Sequence, residues 1–234
     1  MAVPDRMDER LRVLRLLEAQ RMAQTVFAEA ALGGAVVPGR TECEAGDRIR
    51  DVARKVFGSV AGRPGRIVRS GPHTVLPSGE EPPDRVIGVD DLVVVDLGPL
   101  LAWHETDFAR TLVLGEDEGR HQLVEDLARV GAAAREAFLG EERITGRQLH
   151  SAIQALAAGA GRTLGTWQAG RICGQAPAAG ASGTKPDSFI GPDNHRPLRR
   201  TDGEGRQAHW ILEIRLVDDG RGFGGSFKQL LDLV

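Results

Sequence analysis

Two aspartates, spaced as neighbours on adjacent strands, carry the strongest chemical signal in this sequence. The apolar run 93–95 leads into Asp96, the chain turns at Gly98 and Pro99, and Asp107 follows eleven residues after Asp96. Two carboxylates on paired strands can face each other across one site, and carboxylate oxygens are the ligands that hard divalent cations prefer. The other interpretation is that both acids are solvated ends of strands. The spacing makes the pair a candidate site and leaves both interpretations open.

The elements that would position these acids alternate between helix and strand. In the segment 8–32 apolar residues form a broad helical stripe, which ends at Gly33 and Gly34. Thr41 and Glu44 form a capping box that opens a second helix, ending near residue 57. The further predicted elements are strands at 66–69, 93–95, 108–114, 166–173, 210–217 and 223–231, helices at 118–138 and 145–159, a loop at 70–83 and a mobile loop at 174–200.

A repeated order of elements hints at two similar halves. A turn, a Thr-capped helix and then strands occur after residue 38 and again after residue 144, where Thr145 and Gln148 form a second capping box. Each unit precedes a part of the candidate site. This order predicts a site that lies between the two halves.

Composition excludes several classes of function. The 234 residues fit one large domain or two small ones around a buried core. A net charge of -3 gives no electrostatic reason to bind nucleic acid or an anionic membrane. Residues 1–30 lack the pattern of a signal peptide, and no apolar stretch approaches the roughly 20 residues that span a bilayer. Cys43 and Cys173 form no CxxC pair, which favours a reducing, cytoplasmic setting.

Six short motifs, in a fixed order along the chain, carry a resemblance to a known family. They are the segments 38–42, 70–73, 95–98, 106–111, 169–174 and 211–214. With them the sequence resembles the pita-bread family of methionine aminopeptidase, aminopeptidase P and creatinase, and is most similar to the short bacterial members without an extra N-terminal domain. The resemblance implies an α+β fold, with a curved six-stranded antiparallel sheet flanked by helices in two related βααβ halves. It also implies a single domain over 1–234, in which residues 1–34 form an N-terminal helix.

The same resemblance implies a metal site that has lost two ligands. The peptidases of the family hold two metal ions with two Asp, one His and two Glu. Asp96 and Asp107 match the two aspartates, and Glu213 matches the first glutamate. The ligand histidine of the family corresponds to Arg171, and its last glutamate falls near Lys228.

These replacements favour a site without metal ions. Arginine keeps its proton under protein conditions, so Arg171 cannot be a ligand, and Lys228 could be one only if it were neutralised. Without metal ions, Asp96, Asp107 and Glu213 would repel one another by about 4 kcal/mol per close pair at an effective dielectric near 20. Three carboxylates and two cations leave a formal charge of -1. We therefore expect the cations to replace the metal ions in a cluster of salt bridges.

Three functional hypotheses follow from the resemblance. In the first, the protein is a metal-independent enzyme, a creatinase-like hydrolase, lyase or cyclase acting on a small carboxylate- or amide-containing molecule. In the second, it is a pseudo-peptidase that binds a ligand or a protein partner and catalyses nothing. In the third, it is a weak Xaa-Pro metallo-aminopeptidase. We rank the first slightly above the second, because charged replacements keep a pocket polar, and we expect no cofactor. The family also suggests a homodimer through the N-terminal helix.

By analogy with creatinase, the first hypothesis gives roles to named residues. His73 lies in the loop where the family places a substrate-facing histidine, and histidine is the common proton-transfer group near neutral pH. Arg171 would hold a substrate carboxylate. Cys173 lies beside it and is either a substrate contact or a small core residue. The catalytic candidates are His73, Asp96, Asp107 and Glu213, and the substrate-binding candidates are Arg171, Lys228 and Cys173.

Overall fold

Helices and strands alternate along the chain in the order that the periodicity predicts. The computed structural model describes residues 6–58, 65–77, 79–101, 104–174 and 185–233. Its helices are α1 (Arg6–Leu32), α2 (Glu42–Phe57), the single turn α3 (Gly98–Leu101), α4 (Glu118–Gly140) and α5 (Gly146–Gly159), with 3₁₀ turns at Gly71–Val75 and Pro186–Ser188. Its strands are β1 (Val68–Ser70), β2 (Leu92–Asp96), β3 (Ala109–Val113), β4 (Thr163–Leu164), β5 (Gly170–Ile172), β6 (Trp210–Asp218) and β7 (Phe223–Leu230).

Both predicted capping boxes are confirmed, and each opens a helix that packs on a longer partner. Thr41 Oγ1 accepts a hydrogen bond from Glu44 N (3.2 Å), and Glu44 Oε2 accepts one from Thr41 N (2.9 Å). Thr145 and Gln148 make the same pair of bonds at the start of α5. Since an N-cap oxygen and the N3 side chain each satisfy an otherwise unpaired backbone N–H, the two boxes fix where α2 and α5 begin. Helix α1 packs on α2, and α4 packs on α5.

The strands form one antiparallel sheet with the helix pairs against it. The order is β1-β2-β3-β7-β6-β4, and β5 also pairs with β6, so the described sheet has seven strands where the resemblance implied six. One apolar core lies between the sheet and α4 and α5, and a second lies between β1 to β3 and α1 and α2. The α+β class with an antiparallel sheet flanked by helices is confirmed.

The predicted strand 166–173 is wrong as a continuous element. Only residues 170–172 of it form a strand, β5, and the short β4 lies before it. The two are separate because five residues, 165–169, lie opposite only three residues of β6 between the pairs Leu164–Leu216 and Gly170–Leu212. The surplus residues leave the ladder as a bulge, in which Thr166 Oγ1 donates to Gln168 O. A sequence pattern of apolar and polar residues does not show such a local mismatch in length.

The predicted mobile loop 174–200 is only partly a loop. Residues 175–184 lie outside the described residues. Beyond them Phe189, Ile190 and Leu198 are fully buried, and isolated bridges join Arg171 to Phe189 and Thr145 to Pro197. This packed half ties α5 to β5, so the segment contributes to the core despite its Gly and Pro content.

No described helix is long and apolar enough to cross a membrane. The longest, α1, carries charged residues on most of its turns, and its buried positions face α2 and the sheet.

Candidate functional site

Strand register brings the predicted acids and cations to one place on the sheet. Asp96, the last residue of β2, pairs with Ala109 on β3, and Ala109 pairs with Lys228 on β7. Lys228 pairs with Glu213 on β6. Side chains of directly paired residues stand on the same face about 5 Å apart. One row across four strands therefore carries Asp96, Lys228 and Glu213.

Lys228 lies between three carboxylates. Its Nζ is 2.7 Å from Asp96 Oδ2 and 3.5 Å from both Asp107 Oδ2 and Glu213 Oε1. The Lys228 side chain is only 9% exposed. An ammonium group has three N–H donors, and here each has a carboxylate within reach.

Arg171 bridges two of the same acids from the neighbouring strand. Its Nη2 donates to Asp107 Oδ2 (2.5 Å) and its Nη1 donates to Glu213 Oε2 (3.1 Å). The planar guanidinium fork suits two acceptors at once. Strand β5 can approach β6 this closely because Gly170 has no side chain, since a Cβ there would lie 2.2 Å from Ile211 O. We call Asp96, Asp107, Arg171, Glu213 and Lys228 the ion cluster.

Contacts between oppositely charged members of the ion cluster outweigh burial in setting the pKa of four of its five residues. Burial disfavours the charged form of Asp107 and Glu213, but Lys228 and Arg171 outweigh it and hold the pKa of both acids below the usual value. The same acids hold the pKa of Lys228 and Arg171 above the usual range. Asp96 hydrogen-bonds only one of the two cations, Lys228, and burial raises its pKa. Mutual contact therefore favours the charged forms of Asp107, Glu213, Lys228 and Arg171, whereas at Asp96 burial prevails.

Gly98 lets both aspartates reach the site. Its N–H donates to Asp96 Oδ1 (3.0 Å), and a Cβ at this position would lie 2.5 Å from Asp107 Oδ1. That Asp107 oxygen is buried and has no hydrogen-bond donor within the part of the chain that the structure describes. A side chain at position 98 would displace Asp107 and disrupt its contacts with the two cations.

Sequence reasoning missed Gln168, which supports Glu213 from the bulge between β4 and β5. Its Nε2 donates to Glu213 Oε2 (3.2 Å), and its Oε1 accepts from Gly170 N (2.5 Å). The residue is buried. Its only sequence signal was a polar residue directly before the motif 169–174, and the bulge that turns it inward was not foreseen.

The structure places His73 away from the ion cluster, beside a buried glutamate that sequence reasoning also missed. His73 Nδ1 lies 3.0 and 3.1 Å from the two carboxylate oxygens of Glu42, whose side chain is completely buried. Glu42 also accepts hydrogen bonds from Ser70 N (2.6 Å) and Arg66 Nη1 (2.6 Å). Ser70 pairs with Val93, three residues before Asp96 on β2, which is roughly 10 Å along the strand. The carboxylate beside His73 is therefore Glu42 and not an acid of the ion cluster.

Cys173 lies in an apolar cluster with Leu16, Ile211 and Leu230, although it is two residues from Arg171. Burial raises the pKa of its thiol. A thiol that stays protonated in apolar surroundings is a poor nucleophile. Its surroundings are those of a core residue.

The donor atoms of the ion cluster do not fit two metal ions. Asp107 Oδ2, both oxygens of Glu213 and Asp96 Oδ2 all contact Lys228 or Arg171. In the described segments, no group of three or more His, Cys, Asp or Glu side chains is arranged to hold a metal ion. A divalent ion among these acids would have to displace a lysine ammonium at contact distance.

Comparisons with known proteins agree on one fold. A model of metallopeptidase family M24 matches residues 15–185. The structure is similar to a dipeptidase from Pyrococcus horikoshii OT3 (23% identity, TM-score 0.70), an X-Pro aminopeptidase from Thermotoga maritima MSB8 (21%, 0.67) and a prolidase from Pyrococcus furiosus (19%, 0.69). Each alignment covers 97% of this chain, but only 57%, 58% and 64% of those three chains. No curated protein matches the sequence.

Proposed function

Because the chain belongs to metallopeptidase family M24 and has its pita-bread fold, we propose that it is a pseudo-peptidase of that family. In this proposal the dinuclear metal site has been replaced by the ion cluster, and the protein binds a ligand without hydrolysing peptides. The supporting observation is Lys228, whose ammonium lies within 3.5 Å of all three remaining acids.

Electrostatics supports this proposal over a simple loss of metal ligands. Removing divalent ions from a set of facing carboxylates leaves unscreened repulsion, which Lys228 and Arg171 relieve. Both cations are fully engaged in doing so, since Arg171 bonds two acids and Lys228 contacts three. Neither is available to bind a substrate carboxylate without giving up those contacts. In this proposal the two cations therefore serve to neutralise the buried carboxylates and not to bind a substrate.

A metal-independent enzyme is the second candidate, and the His73–Glu42 pair favours it. A buried carboxylate that holds one ring nitrogen of a histidine fixes the orientation of the ring for proton transfer at the other. His73 would then be the acid or base for a small amide or carboxylate substrate, independently of the ion cluster. If so, His73→Asn abolishes turnover of such a substrate and leaves the melting temperature close to that of the wild type.

The third hypothesis, a weak one-metal aminopeptidase, has the least support. It needs free oxygens on Asp107 and Glu213, and three of these four oxygens contact a cation. The prolidase and aminopeptidase activities in the names of the similar structures belong to those proteins.

Metal titration of the wild type, of a double variant with the two missing ligand types and of a matched control tests the proposal. For the wild type we expect no metal in the purified protein, no shift of the melting temperature with Mn²⁺, Co²⁺, Fe²⁺ or Zn²⁺, and no hydrolysis of Xaa-Pro dipeptides. The double variant Arg171→His with Lys228→Glu supplies the two missing ligand types, so we expect metal to stabilise it by mass action, roughly 2.7 kcal/mol at 100 times Kd.

The matched control is Arg171→Gln with Lys228→Met, which also removes both positive charges but supplies no carboxylate or imidazole ligand. Metal should stabilise this control far less than the His/Glu variant. Tight binding of one or two metal ions by the wild type, with hydrolysis of Xaa-Pro dipeptides, would overturn the proposal and restore the metallo-aminopeptidase hypothesis.

We also propose that the protein acts in the cytoplasm, without a cofactor or nucleic acid. Both cysteines, Cys43 and Cys173, are free thiols, which supports a reducing compartment. The net charge of -3 supports a small-molecule or protein ligand over nucleic acid.

A further inference from the structure

A cavity beside α1, separate from the ion cluster, has the features of a ligand-binding site. It has a volume of about 680 Å³ and lies between the first half of α1, the segment around residue 105 and Arg206. Ligand pockets typically have about 300–1,000 Å³ and combine apolar walls with a few fixed polar groups. We name it the α1 cavity, and its lining includes Leu11, Arg12, Arg15, Met22, His104 and Glu105.

The polar end of the α1 cavity is built by Arg12 and is held rigidly. Arg12 Nε donates to Glu105 Oε2 (3.0 Å) and Arg12 Nη1 donates to Gln207 O (2.9 Å). The side chain of Arg12 is 12% exposed, so both bonds are largely shielded from water. Such an arrangement fixes the guanidinium before any ligand arrives.

One nitrogen of this guanidinium is unsatisfied. Arg12 Nη2 is buried and has no hydrogen-bond partner among the described residues. A buried donor left unpaired costs about 1–3 kcal/mol, more for a charged group, and such groups in native proteins call for an explanation. Because arginine has donors and no acceptor, the missing partner is an acceptor, and a carboxylate makes the strongest bond.

A residue of the cavity lining, Glu105, has a strained backbone conformation. Glu105 has a φ of 55°, and it is the only non-glycine residue with positive φ within the described ranges. Its carbonyl accepts from Gly174 N (3.0 Å), and its carboxylate is held by Arg12. Strain of this kind costs about 1–3 kcal/mol and is concentrated at ligand sites.

The remaining lining fits the rest of such a ligand. Leu11 is 46% exposed beside the cavity, and Leu16, Ala19 and Met22 continue its apolar wall. Arg15, also on the lining, forms no ion pair within the described chain and adds a second cationic donor. Four acids also lie on the lining. Glu9 contacts His209 and Glu105 contacts Arg12, while Asp8 and Glu18 are exposed, so water and salt screen their charges.

We propose that the α1 cavity binds a small carboxylate with an apolar body, whose carboxylate is held by the guanidinium groups of Arg12 and Arg15. This site is independent of the ion cluster and of the metal question, so it stands whether or not the protein is a pseudo-peptidase.

Three compounds of the same shape test the head group. Phenylacetate, 2-phenylethanol and 2-phenylethylamine are titrated against the full chain, with amide chemical shifts and calorimetry as readouts. We expect phenylacetate to bind about tenfold more tightly than the alcohol, or about 1.4 kcal/mol, with the amine weaker still. Shifts should centre on α1 and on residues 104–107. Equal affinity for the three compounds, or no binding of phenylacetate, would overturn the proposal.

Three variants test whether phenylacetate binds in the α1 cavity. Met22→Trp fills the cavity and should abolish phenylacetate binding, and Arg12→Gln should remove the preference for phenylacetate over the alcohol. Arg21→Gln is the control, since Arg21 is exposed on the same helix and lies off the cavity lining. Should Arg12→Gln fail to fold, Met22→Trp against Arg21→Gln still decides, because unchanged binding in Met22→Trp contradicts the assignment.

Discussion

At the scale of single residues, Lys228 is the centre of the ion cluster, with its ammonium near three carboxylates. It is one of only three lysines among 30 basic residues, and it pairs directly with Glu213 across β6 and β7. A buried ion pair is weak evidence for net stability, because desolvation offsets attraction. Removing one partner is different, since it leaves uncompensated charge in the interior.

Lys228→Met should therefore destabilise the protein strongly. It leaves Asp96, Asp107 and Glu213 facing one another without the ammonium, and breaking a buried pair costs about 3–5 kcal/mol. Urea unfolding followed by circular dichroism measures the loss. Arg54→Met is the matched control, because the Arg54–Asp51 pair is exposed on α2, and exposed pairs contribute about 0–1 kcal/mol. Equal, small effects of both substitutions would mean that the ion cluster contributes little.

Residue-level prediction from sequence worked where a residue type limits the chemistry. The resemblance placed an arginine and a lysine among three acids, which predicted the salt bridges that the structure contains. The partner of His73 could not be predicted, because Glu42 is 31 residues away in sequence and meets it only through the packing of α2 on β1.

At the scale of elements, local signals fixed the helices well and the strands less well. The capping boxes at Thr41 and Thr145 act within four residues, so the sequence around each contains the whole cause. The bulge at 165–169, which shortens the predicted strand 166–173 to β5, depends on how many residues β6 offers opposite, and β6 lies about 40 residues later in the chain. That bulge affects the ion cluster, because it turns Gln168 towards Glu213.

Thr145→Ala should lower the free energy of unfolding by about 1 kcal/mol, the usual cost of losing an N-cap. The hydroxyl that accepts from Gln148 N is lost, while the backbone bridge to Pro197 remains possible. Thr145→Ser keeps the hydroxyl and should retain most of the stability. Chemical denaturation of the three proteins compares them, and indistinguishable midpoints for alanine and threonine would contradict the assigned cap.

At the scale of the whole molecule, His209 joins the two ends of the chain. Its Nδ1 lies 2.6 Å from Asp232 Oδ2, and its Nε2 lies 2.9 Å from Glu9 Oε1 on α1. Carboxylates only accept, so both ring nitrogens must carry a proton and the ring is an imidazolium. Burial and Arg12 oppose this charge, but Asp232 and Glu9 outweigh them and raise the pKa of His209.

The pH dependence of this link follows from the sign of the shift. A raised pKa in the folded state means that the stabilisation is fully present below the unfolded pKa, about 6.5, and is lost as pH rises through the folded value. The stability difference between wild type and His209→Gln should therefore be largest below pH 6.5 and shrink in alkaline solution. Thermal unfolding across pH measures it, with the exposed His195→Gln as control. A difference that does not change with pH would show that the ring is neutral.

The sequence by itself determined the family, the helices and the identity of the two cations, because these depend on residue type and on spacing within one element. It also determined that acids and cations share a region, through motifs that the family keeps in order. Only the tertiary structure decided which atoms meet: Lys228 with three acids, Gln168 with Glu213, and His73 with Glu42. Those contacts join residues 15 to 132 positions apart, and their geometry depends on strand register, a bulge and helix packing, which no local pattern encodes.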